Sequence, residues 1–140
     1  MNLTIAVKNA RLQAVADAAN AGADANNPAT LTFYADPMPA DADAALDGQT
    51  ELAVVDCPYP LNASIENGVM TLSAFIEQMA TAQGVATWAR LRDVSGTPIA
   101  DVTVGMEDEL GNPTAQITIS QSQIYPGVLI EITEGVIAEA

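Results

Sequence analysis

The chain reads as a mainly β protein: an antiparallel β-sandwich or barrel of about seven strands preceded by one N-terminal amphipathic α-helix. Three observations predict this. Residues 3–20 show helical periodicity without Gly or Pro, the rest of the chain breaks into short apolar or alternating runs, and Pro, Gly, Asn or Asp fills each break. No second helical period separates the runs, so neighbouring strands are expected to pair antiparallel. A length of 140 residues suits one core, organised as a helix (1–22) and a β domain (23–140).

The helix comes first. In LTIAVKNARLQAVADAAN, residues Leu12, Val15, Ala16 and Ala19 fall at i, i+3, i+4 and i+7 and make one apolar stripe. Asn2 or Thr4 can cap its start, and Gly22 supplies a stop. A stripe of alanine and valine suits close packing on a sheet or partner better than dimerisation in water. Lys8 and Arg11 lie three apart on the same helix.

The expected strands follow as ATLTFYA (29–35), TELAVVD (50–56), GVMTLSA (68–74), GVATWARLRD (84–93), PIADVTVG (98–105), AQITISQ (115–121) and GVLIEITEGVI (127–137). Their separators, among them DPMPADADAALDG, CPYPLNASIENG, SGTP, DELGNPT and YPG, carry turn residues. The segment SAFIEQMATAQG (73–84) fits either a short helical turn or a strand extension. WARLRDVSGTPIADVTV is the firmest hairpin, with Ser95 and Gly96 at its turn and Pro98 opening the second arm.

Composition narrows the function classes. Eighteen acidic residues against four basic ones give a net charge of −14 and a pI near 4.1. Such a surface repels phosphate backbones and anionic headgroups, so neither direct nucleic-acid binding nor membrane association is expected. A partner with a basic surface is the better match. With no histidine and a single cysteine, no His-based metal site, proton shuttle, triad or internal disulfide can be built. Cys57, in DCPYP, has no basic neighbour to lower its pKa and reads as a small buried residue. No run approaches the ~18 apolar residues of a membrane span, and MNLTIAVKNAR lacks the order of a secretory signal. Synthesis in a cytoplasm is the expectation.

Acidic groups at Asp41/Asp43 and Glu107, Asp108 and Glu109 raise calcium binding, but neither matches D-x-[DN]-x-[DN]-G. They read as solvated loops. The sequence has no Gly-rich phosphate loop and no G-x-S-x-G elbow, so no catalytic residue, cofactor or metal is assigned and an enzyme is not expected. A glycan platform would have to come from Tyr34, Tyr59, Trp88 and Tyr125.

The stretch GVATWARLRD holds the single tryptophan and two of the four cations. As a strand it puts Trp88, Arg90 and Arg92 on one face and Val85, Thr87, Ala89 and Leu91 on the other. That face can pack on a second layer with its guanidinium tips paired to Asp93 or Asp101, or it can meet a partner, since Trp and Arg are favoured interface anchors. The candidate interface residues are therefore Lys8, Arg11, Trp88, Arg90 and Arg92.

NARLQAVADAANAG, ATLTFYADPMP, ALDGQTELA, NGVMTLSA and GVATWARLRDVSGTPIADVTVG, in this order, resemble a family of small virion structural proteins of tailed phages and prophages. The likeness runs from about residue 5 to 105, and EDELGNPTAQITISQSQIYPG beyond it fits less well. The resemblance implies a capsid decoration or cement protein, with the major capsid protein as partner and the virion, assembled in the host cytoplasm, as location. It also implies a homo-oligomer, with a trimer suiting a capsid three-fold. It carries over no binding residue.

Overall fold

The computed structural model describes residues 1–139, which hold one helix and twelve strands. In chain order these are α1 (Ile5–Asn20), β1 (Thr30–Tyr34), β2 (Glu51–Asp56), β3 (Asn62–Glu66), β4 (Val69–Leu72), β5 (Gln78–Met79), β6 (Gly84–Val85), β7 (Trp88–Arg92), β8 (Pro98–Gly105), β9 (Ile117–Ile119), β10 (Gln123–Ile124), β11 (Leu129–Ile130) and β12 (Ile132–Ala138). Eight strands form one sheet in the order β2-β1-β7-β8-β9-β12-β4-β3, and two small ladders, β10-β6 and β11-β5, stand apart. The protein is mainly β, with one helix.

The sheet curls. Leu31 on β1, Leu91 on β7, Val102 on β8, Ile117 on β9, Ile137 on β12 and Leu72 on β4 line one narrow interior gap, although β1 and β4 lie five places apart in the strand order. Only a concave sheet lets such distant strands meet. Two segments close the open side. Residues 78–86 and 122–130 pair antiparallel through Leu129↔Met79 and Gln123↔Val85, with Ala80 N–H donating to Val128 O and Ala86 N–H to Ser122 O. This strap drives Ala80, Ala86, Ile124 and Ile130 into the same core as Phe33, Leu52 and Ile119.

Several expectations need correcting. The count of about seven strands is too low, because β3, β5 and β10 lay in segments read as turns or left open. GVATWARLRD is not one strand: β6 joins β10 in the strap, the chain bends at Ala86 and Thr87, and β7 joins the main sheet. Val85 is consequently exposed and does not share the buried face of Leu91. GVLIEITEGVI divides likewise into β11 and β12. Pairing is not wholly antiparallel, since β8 and β9 run parallel through Val104↔Ile117 and Gly105↔Thr118. That pair needs no helical crossover, because β9 begins level with the end of β8 and the loop 106–116 only has to turn back on itself. Residues 73–84 contain β5 and no helix.

The helix lies along the β3–β4 hairpin. Thr4 caps it by accepting from Val7 N–H at 3.3 Å, and Gly22 follows its end at φ +71°. Leu12, Ala16 and Met70 form a small cluster beneath it, and Ala19 reaches the main core. Two asparagines fasten its ends. Asn9 Oδ1 accepts from Gly68 N–H at 2.8 Å, and Asn20 Oδ1 accepts from Leu61 N–H at 2.9 Å, so α1 runs antiparallel to β3. Asn67 and Gly68, at φ 54° and 74°, form the tight hairpin turn that Asn-Gly favours.

Candidate functional site

Strand register sets the surroundings of Trp88, Arg90 and Arg92. On β7 they stand opposite Tyr34, Thr32 and Thr30 of β1, while Thr103 and Asp101 of β8 flank Trp88 and Arg90. This is the face turned away from the main core. The loop 36–49 covers it, with Ala44 O accepting from Arg90 Nη1 at 3.0 Å and Asp36, Pro37 and Met38 beside Trp88.

The two guanidiniums there are partnered and the rings stack, while the buried Trp88 Nε1–H has no hydrogen-bond acceptor among the described residues. Trp88 and Tyr34 stack with centroids 4.6 Å apart and planes at 19°; Arg90 lies 5.5 Å over the Trp88 ring and Arg92 5.9 Å over Tyr34. Arg90 forks onto Asp101, with Nε to Oδ1 at 2.7 Å and Nη2 to Oδ2 at 2.9 Å. That hydrogen bonding holds the guanidinium above its ordinary pKa, outweighing the opposing effect of burial. Arg92 corrects an expectation. It meets no acid, donating instead to Thr32 Oγ1 at 2.9 Å and Tyr34 OH at 3.0 Å. Asp93 is not available to it, because Asp93 Oδ1 accepts from Ser95 and Thr97 N–H and builds the hairpin turn. Trp88 and Arg90 are 1% and 2% exposed, so the folded chain offers neither to a partner.

The helix cations stay at the surface, Arg11 with its side chain 54% exposed and Lys8 half-buried. Arg11 pairs with Glu139 at 2.9 Å, tying α1 to the end of β12, and the Lys8 stem lies on the β3–β4 turn, where a Cβ on Gly68 would sit 3.1 Å from Lys8 Cδ. The five candidate residues thus form two separate groups: a buried ladder on the outer sheet face and a helix clamp at the other sheet edge.

Other recesses are modest. Pro28, Cys57, Pro58, Tyr59, Ile76 and Gln78 line a hollow of about 420 Å³. Cys57 is buried, and desolvation, with Asp56 beside it adding to the effect, pushes its thiol up to about 12. A second recess, about 380 Å³, holds Glu107, Asp108, Ser120 and Thr133, and Asp108 Oδ1 there accepts from Leu110 and Asn112 N–H. Asp41, Asp43 and Glu109 are exposed. Among the described residues no three His, Cys, Asp or Glu side chains gather as a metal site, and no helix is long and apolar enough to cross a membrane. Tyr34 and Trp88 are buried, while Tyr59 and Tyr125 are 54% and 49% exposed.

Sequence reasoning missed the outer side of the strap. Met79, Val85, Tyr125, Val128 and Leu129 all stand 41% to 60% exposed there. Their visible signal was an absence: residues 78–86 and 122–130 contain no Asp, Glu, Lys or Arg. Scans against family models, curated proteins and solved structures find no match for this chain.

Proposed function

We propose that this chain is a phage virion structural protein: a capsid decoration or cement protein that stabilises the head shell through contacts with the major capsid protein. The reading rests on the resemblance over residues 5–105 and on one structural observation. Arg90 and Arg92 are taken up within the fold, at Asp101, Thr32 and Tyr34, while Arg11 meets Glu139 at the surface and the Lys8 stem packs on the Gly68 turn. The exterior is rich in carboxylates, with Lys8 and Arg11 at its helix, and is broken by an uncharged apolar strap. A barrel-like β shell with that exterior is suited to binding proteins and displaying acidic loops to solvent. Modest contacts suffice when a subunit meets several neighbours, since each further contact forms at high effective concentration.

The experiment is co-sedimentation of the purified chain with heads that lack it and, separately, with tails. Saturable pelleting with heads supports the reading. Pelleting with tails alone would move the protein to a tail, neck or fibre role, and binding to neither would remove the virion assignment.

A further inference from the structure

We infer that the hollow beside Cys57 is a docking site for a segment of a different protein, and that this segment inserts a lysine or arginine side chain. The hollow holds about 420 Å³, within the range of about 300–1,000 Å³ usual for ligand pockets. Pro28, Pro58, Tyr59 and Ile76 supply apolar walls, and Asp56 and Glu77 share the lining. These walls are held in place. Cys57 N–H donates to Ala29 O at 2.9 Å, the Gln78 side chain accepts from Asp56 N–H, and the two prolines fix the backbone on either side. An occupant therefore has little to order on arrival.

The lining selects the chemistry of the occupant. A purely apolar one would strip water from two carboxylates and leave them without a counter-charge. A lysine or arginine meets both demands, because its methylene stem packs on the apolar walls while its head stays with the acids. Tyr59, 54% exposed, adds a ring face for that head. Among the described residues the ion pairs are Arg11 with Glu139 and Arg90 with Asp101, so the acids of the hollow have no cation of their own. The net charge of −14 draws basic segments in and repels phosphate chains. Ile76, 83% exposed, is covered by a chain segment crossing the hollow and left bare by a small free amine. A second copy is poorly supplied with such a head. Arg90 is 2% exposed, Arg92 is bonded to Thr32 and Tyr34, and Arg11 is paired, leaving only Lys8 on a stem packed against the Gly68 turn. The inference is independent of any capsid role.

The test is fluorescence anisotropy with a dye-labelled peptide, Gly-Ala-Leu-Lys-Leu-Ala-Gly, and the same peptide with norleucine in place of lysine. The proteins are the wild type, Asp56→Asn with Glu77→Gln, Ile76→Ser, and a control, Glu107→Gln with Glu109→Gln, which removes as much charge outside the hollow. Circular dichroism confirms that each folds. The expected result is saturable binding of the lysine peptide, at least about tenfold tighter than the norleucine peptide and weaker at about 500 mM than at about 50 mM NaCl. Its Kd should rise at least about tenfold in the Asp56 and Glu77 variant and at least about threefold in Ile76→Ser, and stay within about twofold in the control. No saturable binding would overturn the inference, as would norleucine binding as tightly as lysine. An equal loss in the control would show general attraction to an acidic surface and no site. Butylamine competing as well as the unlabelled peptide would assign the hollow to a small amine, and self-association of the wild type abolished by the hollow variants would assign it to a second copy; either would contradict the partner named.

Discussion

Asp101→Ala strikes the most strongly determined contact in the molecule. The Arg90 and Asp101 side chains are 3% and 5% exposed, and their fork is closed by two bonds of 2.7 and 2.9 Å. An exposed ion pair is worth about 0–1 kcal/mol, but removing one member of a buried pair leaves an uncompensated charge and costs about 3–5 kcal/mol. Arg90 cannot swing into water easily, since Ala44 O and the Trp88 ring also hold it. The expected loss for Asp101→Ala is therefore about 3–5 kcal/mol, or a fall in Tm of roughly 10–20 °C at this chain length. Replacing both partners removes the stranded charge, so Arg90→Met with Asp101→Leu should lie within about 2 kcal/mol of wild type. Urea denaturation followed by Trp88 fluorescence and by circular dichroism, on Arg90→Met, Asp101→Leu and their double variant beside Asp101→Ala, gives the energies needed for a double-mutant cycle. A loss below about 1 kcal/mol for Asp101→Ala, or strictly additive effects in the pair, would refute the reasoning.

Other consequences are equally open to measurement. Acrylamide should quench Trp88 weakly in the folded chain and strongly in urea, because the indole is 1% exposed and stacked on Tyr34; strong native quenching would contradict the covered ladder. The folded chain keeps the Cys57 proton between its ordinary value of 9.0 and about 12, while the unfolded chain loses it over that range. Stability from this group is therefore complete below about pH 9 and falls as pH rises toward 12, by at most about 4 kcal/mol. The alkaline decline should be visibly shallower in Cys57→Ala, and identical slopes would show that Cys57 is not the cause. Gly135→Ala would bring a Cβ to 2.6 Å from Leu72 Cδ1 and 3.1 Å from Leu72 Cβ, so it should cost about 1–3 kcal/mol in urea, partly recovered by Leu72→Ala. No loss would mean that β4 and β12 are packed less closely than their contact indicates.

Sequence and structure agree where a local signal and the tertiary context favour the same answer. The helix was legible from its spacing, and Leu12, Ala16 and Ala19 are indeed its buried residues. The β7–β8 hairpin was legible from its turn, and Arg90 does meet Asp101 across it. The β3–β4 hairpin was also signalled, by Asn67 and Gly68, but β3 was absorbed into a Pro-rich separator; its weak pattern of Asn, Ala, Ser, Ile and Glu hides a strand that lies against the helix. The strap was hidden for a different reason. Its four strands have two residues each, too short for any period to show, and their pairing joins segments about 40 to 50 residues apart. Arg92 shows a further limit, since no sequence rule says that Asp93 will be occupied by its own turn. The aromatic and basic face was found correctly as a face, while its covering by the loop 36–49 depended on a long-range bond to Ala44 O.

The central proposal is a structural place on a phage head, and copy number tests it most directly. Quantitative mass spectrometry of purified particles made from the genome that encodes this chain should count it against the major capsid protein. The proposal predicts a fixed stoichiometric ratio, with the protein present in many copies on heads and missing from isolated tails. A chain absent from heads, or present in only a few copies confined to the tail, would contradict it.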